Sequence, residues 1–299
     1  MTRKSIHAVI NPAAGKHGAD WDELRVALEA RGMRVEESRT ERPGHATELA
    51  AAGDHDLVLA AGGDGTVSEV AAGILRRADT GARPILGIMP LGTGNDYQRT
   101  ARALVTGGDL AARIAQSEPA IVDAGRIRFE SGDRPDEFFI NAANAGFSAA
   151  VAERAERSFR SWPRVAGYAV SAIATLASLR NPSVYLEIDG AGEEFPANSI
   201  IMALGRYFGQ GMKVAPDAVA DDGLFDIISV GDIGRLELVA AYPRLYTGSH
   251  IHHGKVRVRR GRRVSIRAER PLIVEGDGDI RGALPATFEV LPGVLRVIA

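Results

Sequence analysis

Residues 57–66 of this chain read Leu-Val-Leu-Ala-Ala-Gly-Gly-Asp-Gly-Thr, an apolar run that passes directly into a glycine-rich turn. Two similar transitions flank it in the sequence: Asn-Pro-Ala-Ala-Gly at 11–15 follows an apolar run, and so does Gly-Thr-Gly-Asn-Asp at 92–96. Short apolar runs that alternate with helix-like stretches predict a parallel sheet covered by helices. Because the carboxyl ends of parallel strands meet at one edge, we expect the three turns to lie together.

Length and composition limit the classes of protein that this chain can be. Its 299 residues correspond to about two domains, at roughly 150 residues per domain. Hydrophobic residues make up 45% and charged residues 25%, which excludes collagen-like and globally disordered chains. A net charge of -2 gives no overall attraction to nucleic acid or membrane, and the lack of cysteine excludes disulfides and thiol catalysis. The first residues lack the apolar region of a secretory signal, so we expect a cytoplasmic protein.

The texture of the sequence changes near residue 128. Strand and helix patterns alternate before it, whereas strand-like runs follow one another closely after it. We therefore predict an α/β domain over 1–128 and a mainly antiparallel domain over 129–299. The last strand belongs either to this second domain or to the sheet of the first. The apolar run 165–179 has 15 residues between Arg164 and Arg180, too few for the roughly 20 that cross a bilayer, so we expect a buried core helix.

The three turns have the chemistry of a nucleotide site that includes a metal ion. Glycines leave backbone N–H groups free to surround phosphate oxygens at the start of a helix. Asp64 and Asp96 would repel bare phosphate, and a bridging Mg²⁺ resolves this conflict because it binds carboxylate and phosphate oxygens together. Thr66 and Glu69 have the spacing of a capping box, which predicts the start of the helix after the second turn.

Motifs over the whole chain resemble those of the diacylglycerol kinase catalytic-domain family, the lipid kinases that include sphingosine and ceramide kinases. Gly-Gly-Asp-Gly-Thr at 62–66 is shared with NAD kinases and phosphofructokinases, but its combination with Gly-Thr-Gly-Asn-Asp at 92–96 is more specific. Further matching residues are Asn11, Thr40 with Gly44-His-Ala, Asp123, Phe139-x-Asn141, Gly146-Phe147, Arg206-Tyr-Phe-Gly209, Asp222-Gly-Leu224 and Asp277-Gly-Asp279. Three positions depart from the family pattern: Ala14 replaces a serine, Gln210 interrupts a triple glycine, and Asp279 replaces a glutamate.

This resemblance implies a fold, an activity and a set of site residues. The first domain would be doubly wound and NAD-kinase/phosphofructokinase-like, and the second a β-sandwich. The activity would be ATP-dependent transfer of the γ-phosphate to the hydroxyl of diacylglycerol or a related lipid, with ATP and Mg²⁺ as cofactors. The implied nucleotide contacts are Asn11, Pro12, Ala13, Ala14, Gly15, Thr40, Gly62, Gly63, Asp64, Gly65, Thr66, Val67, Ser68, Glu69, Gly92, Thr93, Gly94 and Asn95.

The resemblance also assigns acidic residues to catalysis and to metal binding. Asp277 is the candidate general base and Asp279 its rival, since transfer needs a carboxylate that accepts the hydroxyl proton. Asp64, Asp96 and Asp123 would hold the Mg²⁺ of the nucleotide. A second, structural cation would bind Asp222 and the backbone oxygens of Val219 and Leu224.

Several sequence features have both a structural and a functional interpretation. An Asp-Gly pair at 277–278 is equally typical of a hairpin turn. The basic segment 255–270 contains Lys255 and seven arginines. It forms either a solvated surface or a surface that is attracted to anionic lipid, by about 1 kcal/mol per basic residue. His250, His252 and His253 lack the pattern of a metal site, and the basic segment lacks the aromatic residues typical of nucleic-acid binding.

Two other functions stay open: an NAD-kinase-like enzyme and a non-catalytic nucleotide- or lipid-binding module. For the lipid kinase we expect peripheral contact with the inner face of the membrane and no nucleic acid. The sequence does not determine the oligomeric state, and a homodimer is one option.

Overall fold

The computed structural model describes residues 4–14, 18–77, 83–102, 109–116, 118–130, 134–158 and 164–299. The chain forms two compact units, Met1–Ala124 with Pro292–Ala299, and Gly125–Leu291. Strands β5 (Ala120–Phe129) and β16 (Ala286–Ile298) each run from one unit into the other.

A parallel sheet with helices forms the first unit. Its strands are β1 (Ser5–Ile10), β2 (Arg34–Arg39), β3 (Leu57–Gly62) and β4 (Ile85–Pro90), in the order β2-β1-β3-β4. The end of β16 adds a further parallel strand, since Val297 and Ile298 pair with Leu86 and Gly87 of β4. The helices are α1 (Gly18–Ala30), α2 (His45–Ala51), α3 (Asp64–Arg76), α4 (Asp96–Arg102) and α5 (Leu110–Gln116).

Burial along the strands explains the position of each strand in this sheet. All six residues of β3 are buried, as expected of a central parallel strand that is covered on both faces. By contrast, β2 has no fully buried residue and lies at the edge. Trp21 and Leu28 of α1 pack into the same core as Leu57 and Leu59 of β3. The alternating apolar and amphipathic segments of the sequence therefore form the predicted α/β unit.

Two antiparallel sheets form the second unit, together with helices α6 (Phe147–Ser158), α7 (Arg164–Ala177), α8 (Arg235–Ala241) and α9 (Arg244–Thr247). The start of β16 pairs with β13 (Arg263–Ala268), which is followed by β8 (Ser183–Ile188) and β9 (Ala191–Pro196). The other sheet has the order β12-β11-β10-β7-β14-β15, and the short β6 (Glu137–Phe139) pairs with β5. The bounds of this sheet are β7 (Ala142–Gly146), β10 (Ser199–Ala203), β11 (Phe225–Val230), β12 (Val256–Gly261), β14 (Ile273–Gly276) and β15 (Asp279–Ala283).

One apolar core joins the two sheets of the second unit into a sandwich. Phe225 of β11 and Phe288 of β16 are fully buried and belong to this core, and Phe139 stacks on Phe225 with ring centroids 5.6 Å apart. The antiparallel second domain and the α/β first domain confirm the predicted fold class.

Helix α7 differs from the buried core helix that its apolar sequence predicts. Ile173 is 69% exposed and Val170 is also exposed, whereas Ser171 and Thr175 are buried. The helix therefore covers the unit with one side only, which periodicity cannot reveal when nearly every residue is apolar. None of the helices in the described part of the chain is long and apolar enough to span a bilayer.

Candidate active site

The order of the parallel strands places the three glycine-rich turns side by side. β1, β3 and β4 are neighbours, and the turns follow their carboxyl ends. Backbone hydrogen bonds continue the pairing into the turns: Asn11 N–H donates to Ala61 O at 3.0 Å, and Leu91 N–H donates to Gly62 O at 2.8 Å. The structure thus brings together the turns that the sequence predicts to meet.

A side-chain hydrogen bond connects the first turn to the second. Asn11 Nδ2 donates to Thr66 Oγ1 at 3.1 Å, and Asn11 Oδ1 accepts the N–H of Ala13 at 3.0 Å. Thr66 is buried, whereas Pro12 and Ala13 are exposed and Ala14 is half-buried. Gly15, which the resemblance assigns to the nucleotide, lies outside the described residues.

Glycines allow the second and third turns to touch. A Cβ at Gly92 would lie 2.6 Å from Gly63 Cα, which no side chain tolerates. Asn95 has a positive φ of 51°, and its Nδ2 donates to Gly92 O at 2.9 Å, which closes the third turn. Thr93 is exposed and Gly94 half-buried in this turn. Here the glycines serve contact between two loops as well as any approach of a ligand.

Two carboxylates lie beside these turns, each on the first residue of a helix. Asp64 begins α3 and Asp96 begins α4, and Asp64 Oδ1 accepts the N–H of Tyr97 at 3.2 Å. Burial raises the pKa of Asp64, and the negative charge of Asp96 raises it further. Asp96 is buried, and its Oδ1 lies 3.5 Å from Arg99 Nη1. Two carboxylates that repel each other beside glycine-rich turns would fit a divalent cation, because Mg²⁺ is typically held by one or two carboxylates together with phosphate oxygens.

The predicted capping box of α3 is wrong. The helix already begins at Asp64, and Thr66 Oγ1 accepts from Asn11 rather than capping α3. The Glu69 carboxylate accepts the N–H groups of Gly44 at 2.9 Å and Ala46 at 3.1 Å, so it caps α2 instead. A partner 25 residues away in the chain outcompetes the local backbone because the start of α2 has free N–H groups that need an acceptor.

The remaining predicted nucleotide residues occupy different positions around this edge. Thr40 follows β2 and its N–H donates to Ile10 O at 2.9 Å. Gly65 is exposed in the first turn of α3, whereas Val67 and Ser68 are buried in the same helix. The buried Asp123 accepts the N–H of Gly293 through Oδ1 at 2.8 Å, so this carboxylate holds the turn within β16.

In the second unit, Asp277 and Gly278 form the two-residue turn between β14 and β15. Their φ values are 52° and 91°, which a type I′ hairpin requires at both central positions. The Asp277 carboxylate accepts three backbone N–H groups, from Ile140 at 2.8 Å, Asn141 at 2.9 Å and Ala142 at 3.1 Å. The aspartate is therefore held firmly, and the hairpin interpretation of the Asp-Gly pair is locally right.

The rival carboxylate Asp279 lies in a different environment. Its side chain is half exposed, and Oδ2 lies 3.4 Å from Arg281 Nη2. Arg281 is buried for the most part and also approaches Glu137 Oε2 at 3.7 Å. The shorter side chain at position 279 thus has a cation close to it.

Sequence reasoning missed a third acid in this hairpin, Glu275. It is only 3% exposed, and its Oε2 accepts a 2.9 Å hydrogen bond from Asn144 Nδ2. Burial raises the pKa of Glu275 to about 7, against the Asn144 hydrogen bond and with a smaller contribution from the charges of Asp279 and Asp277. The spacing of Glu275, Asp277 and Asp279 at every second residue is the sequence signal that could have indicated it.

Asp222, assigned by the resemblance to a structural cation, is paired with an arginine. Arg260 forms an ion pair with Asp222 Oδ2, and its Nε lies 3.6 Å from Asp226 Oδ2. The other oxygen of Asp222, Oδ1, accepts the N–H of Leu224 at 3.0 Å. Val219 is exposed nearby in sequence. No group of three or more His, Cys, Asp or Glu residues suited to a metal occurs within the described ranges. Cation binding at Asp222 therefore stays a prediction, and it would compete with Arg260.

Most cations of the basic segment are neutralised by ion pairs. Six of its eight basic residues contact a carboxylate: Lys255 with Glu237, Arg257 and Arg259 with Glu193, Arg260 with Asp222, Arg263 with Glu289, and Arg267 with Glu130. His250 is buried with Nε2 2.9 Å from Val214 O, and burial lowers its pKa. The segment is thus mainly a solvated, paired surface and only weakly a free positive patch.

Comparison with known proteins identifies the family of both units. Residues 5–127 match the diacylglycerol kinase catalytic domain, and residues 141–299 match the YegS C-terminal NAD kinase beta sandwich-like domain. A curated protein named diacylglycerol kinase from Staphylococcus haemolyticus is 30% identical over 96% of this chain and 85% of its own length. One with the same name from Staphylococcus aureus strain JH9 is 28% identical over 99% and 93%.

Solved structures show the same fold. A diacylglycerol kinase structure from Bacillus anthracis str. Sterne has a TM-score of 0.69 and 22% identity, covering 100% of this chain and 97% of the other. A second chain from that organism has a TM-score of 0.74 and 24% identity, with 100% and 98% coverage.

Together with the matches to the catalytic domain and the β-sandwich-like domain, these relatives identify the protein as a lipid kinase. The chain belongs to the diacylglycerol kinase family. Membership of a kinase family implies ATP as a substrate and a divalent metal ion.

Proposed function

We propose that this protein transfers the γ-phosphoryl group of ATP to the hydroxyl of diacylglycerol or a related lipid. The observation that carries the proposal is the meeting of three glycine-rich turns with Asp64 and Asp96 at one sheet edge, in the unit that matches the catalytic domain of the family. Relatives with the diacylglycerol kinase name cover almost the whole chain, which supports the same substrate class.

In this proposal the nucleotide phosphates bind at the start of α3, on the edge where the three turns meet. The first turn of α3 supplies backbone N–H groups suited to an anion, whereas the N–H of Tyr97 at the start of α4 already donates to Asp64. The Asn11–Thr66 hydrogen bond fixes the first turn against the second, and the Gly63–Gly92 contact fixes the second against the third. The chain thereby offers a rigid cradle, which phosphoryl transfer needs because positioning supplies much of the catalysis.

Asp64 and Asp96 are the residues that hold Mg²⁺ in this proposal. When bound, the metal neutralises charge on the transferring phosphate. The raised pKa of Asp64 reflects burial and the repulsion by Asp96, and both effects are relieved by a shared cation. Asp123 is the third carboxylate of this proposal, and it also accepts the N–H of Gly293.

Asp277 is the proposed general base. Its carboxylate accepts the proton of the lipid hydroxyl as the hydroxyl oxygen forms a bond to phosphorus and the bond from phosphorus to the ADP oxygen breaks. Three backbone N–H groups hold this carboxylate in one orientation, which favours a precise approach. Because the lipid substrate resides in a bilayer, the protein must also contact a membrane surface.

The test is a phosphorylation assay with the full chain, labelled ATP and Mg²⁺. Diacylglycerol, monoacylglycerol, ceramide and sphingosine are presented in non-ionic detergent micelles, with NAD as a separate acceptor. We expect labelled lipid that depends on Mg²⁺ and is lost with EDTA. Labelled NAD in place of labelled lipid would contradict the proposal, and so would the absence of transfer to every lipid by protein that binds ATP.

A further inference from the structure

An outward-facing row of large apolar side chains lies on the segment 235–247 of the second unit. We call this row the apolar stripe. Its members are between 51% and 88% exposed, and they are Leu236, Val239, Tyr242 and Tyr246. Large apolar side chains seldom occur together on the surface of a protein that has no partner there. A patch of this kind therefore usually marks an interaction site.

The backbone places these four side chains on one side of a nearly continuous helix. α8 ends at Ala241, Tyr242 and Pro243 keep helical φ and ψ, and α9 begins at Arg244. At about 100° per residue, the four positions fall within an arc of roughly 120°. The rings of Tyr242 and Tyr246 pack edge to face with centroids 6.2 Å apart, so the stripe is one surface.

The stripe is held in place by contacts with the rest of its unit. Lys213 N–H donates to Leu245 O at 2.7 Å. Glu237 on α8 accepts from Lys255 Nζ at 2.6 Å and lies 3.4 Å from His253 Nε2. These bonds connect α8 to the start of β12 and show that the stripe is exposed in a well-connected part of the fold.

The helical segment that carries the stripe also carries two exposed cations. Within 235–247 the basic residues are Arg235 and Arg244, and the one acidic residue, Glu237, is paired with Lys255. Arg235 and Arg244 are exposed at the two ends of the helical segment. Two exposed arginines beside a row of apolar side chains favour a partner that is both anionic and apolar.

We propose that the apolar stripe is the surface by which this protein docks on an anionic phospholipid bilayer. Tyrosine rings are suited to the boundary between headgroups and acyl chains, Leu236 and Val239 reach the apolar region, and Arg235 and Arg244 attract anionic headgroups. A second copy of the chain is disfavoured as occupant because it would bring the arginines of two copies together. This inference rests on the proposed function, since a lipid substrate requires contact with a membrane.

The test compares vesicle binding of the full chain and of the variant Leu236→Ser/Val239→Ser, using vesicles of phosphatidylcholine with 30% phosphatidylglycerol as an assumed, roughly physiological anionic content. We expect the double variant to lose at least about tenfold in partition coefficient, since two apolar side chains no longer enter the bilayer. Arg235→Gln/Arg244→Gln should lose about fivefold per arginine at low salt and much less at high salt. The matched control is Val26→Ser, an equally exposed apolar residue on α1, which should bind like the wild type.

Two further measurements decide between occupants and separate this inference from the proposed function. Sedimentation shows whether the wild type associates and the double variant does not, which would assign the stripe to a second copy and overturn the proposal. Unchanged vesicle binding of the double variant would overturn it as well. Kinase activity in micelles, which present no anionic surface, should be unaffected by the double substitution, so inactive protein that still binds vesicles would contradict the proposed function alone.

Discussion

Asn144 Nδ2 donates a 2.9 Å hydrogen bond to Glu275 Oε2 directly across the β7–β14 pair, and both side chains are buried. Ser148 Oγ in turn donates to Asn144 Oδ1 at 2.8 Å. Glu275, the last residue of this hydrogen-bonded series, lies two residues before Asp277, the proposed base. It places an ionisable group with a pKa of about 7 inside the second unit.

The buried Glu275 predicts that stability changes with pH. Because its pKa is raised from 4.5 to about 7 in the folded state, the folded protein binds this proton more tightly than the unfolded chain does. The stability that this bound proton contributes is therefore fully present below about pH 4.5 and is lost as pH rises through about 7, by about 3 kcal/mol in total. Glu275→Gln keeps an acceptor for Asn144 and cannot ionise, so its free energy of unfolding relative to the wild type should rise by about that amount between pH 5 and 8.

Urea unfolding at several pH values measures this difference. Glu23→Gln is the matched control, because Glu23 is exposed on α1 and its substitution should leave the pH dependence of the wild type unchanged. Parallel curves for the wild type and Glu275→Gln from pH 5 to 8 would show that Glu275 is not the titrating group.

The contact between the second and third turns predicts that Gly92 tolerates no side chain. Gly92→Ala places a Cβ 2.6 Å from Gly63 Cα, and forced overpacking of this kind costs about 1–3 kcal/mol of unfolding free energy. Gly65→Ala is the control, since a Cβ there meets nothing within 4 Å and alanine favours the helix. Thermal unfolding of the two variants should diverge, and equal stability would mean that the turns do not touch.

The pair Asp64 and Asp96 predicts opposite effects of one substitution with and without ligand. Asp64→Asn removes a buried carboxylate whose pKa is raised. Without ligand, the variant should therefore gain stability relative to the wild type as pH rises above about 4, where Asp64 ionises in the unfolded chain. The same variant should bind ATP with Mg²⁺ at least about tenfold more weakly, because a carboxylate ligand is lost. Thermal shifts with EDTA and with Mg²⁺ and ATP measure both effects.

Asp22→Asn, a change of an exposed aspartate on α1, should alter neither quantity. If Asp64→Asn retained the full thermal shift on addition of Mg²⁺ and ATP, the metal would have to be held elsewhere.

Turnover separates the two candidate bases. Asp277→Asn should lower turnover by about 10²–10⁴-fold while ATP binding stays intact, since positioned base catalysis typically contributes that factor. The variant also replaces one acceptor oxygen beside three N–H donors, so stability should fall by about 1–3 kcal/mol and turnover must be measured where the protein is folded. Asp279→Asn should have the smaller effect, because Asp279 is half exposed and paired with Arg281.

Near-wild-type turnover in folded Asp277→Asn would assign the proton transfer to another group. In that case Asp279→Asn and Glu275→Gln, assayed in parallel, identify which carboxylate of the hairpin performs it.

The sequence by itself determined the parallel-sheet unit and the meeting of its three turns. Both depend on local signals: apolar runs of strand length such as β3, helical periodicity after each turn, and glycines where the chain must turn. The edge at which the turns meet then follows from the geometry of parallel strands, without knowledge of any side-chain contact.

Only the tertiary structure decided which partner each polar or charged side chain takes. Glu69 has the spacing of a local cap but binds the start of α2. Arg260 pairs with Asp222, although the sequence predicts a cation at Asp222 and a solvated or lipid-facing role for Arg260. Ile173 faces outward from a helix that is apolar throughout, and Glu275 is buried within an acidic hairpin. These outcomes depend on segments far apart in the chain, because burial and ion pairing are set by whichever groups the fold brings within a few ångströms, and no local pattern encodes that choice.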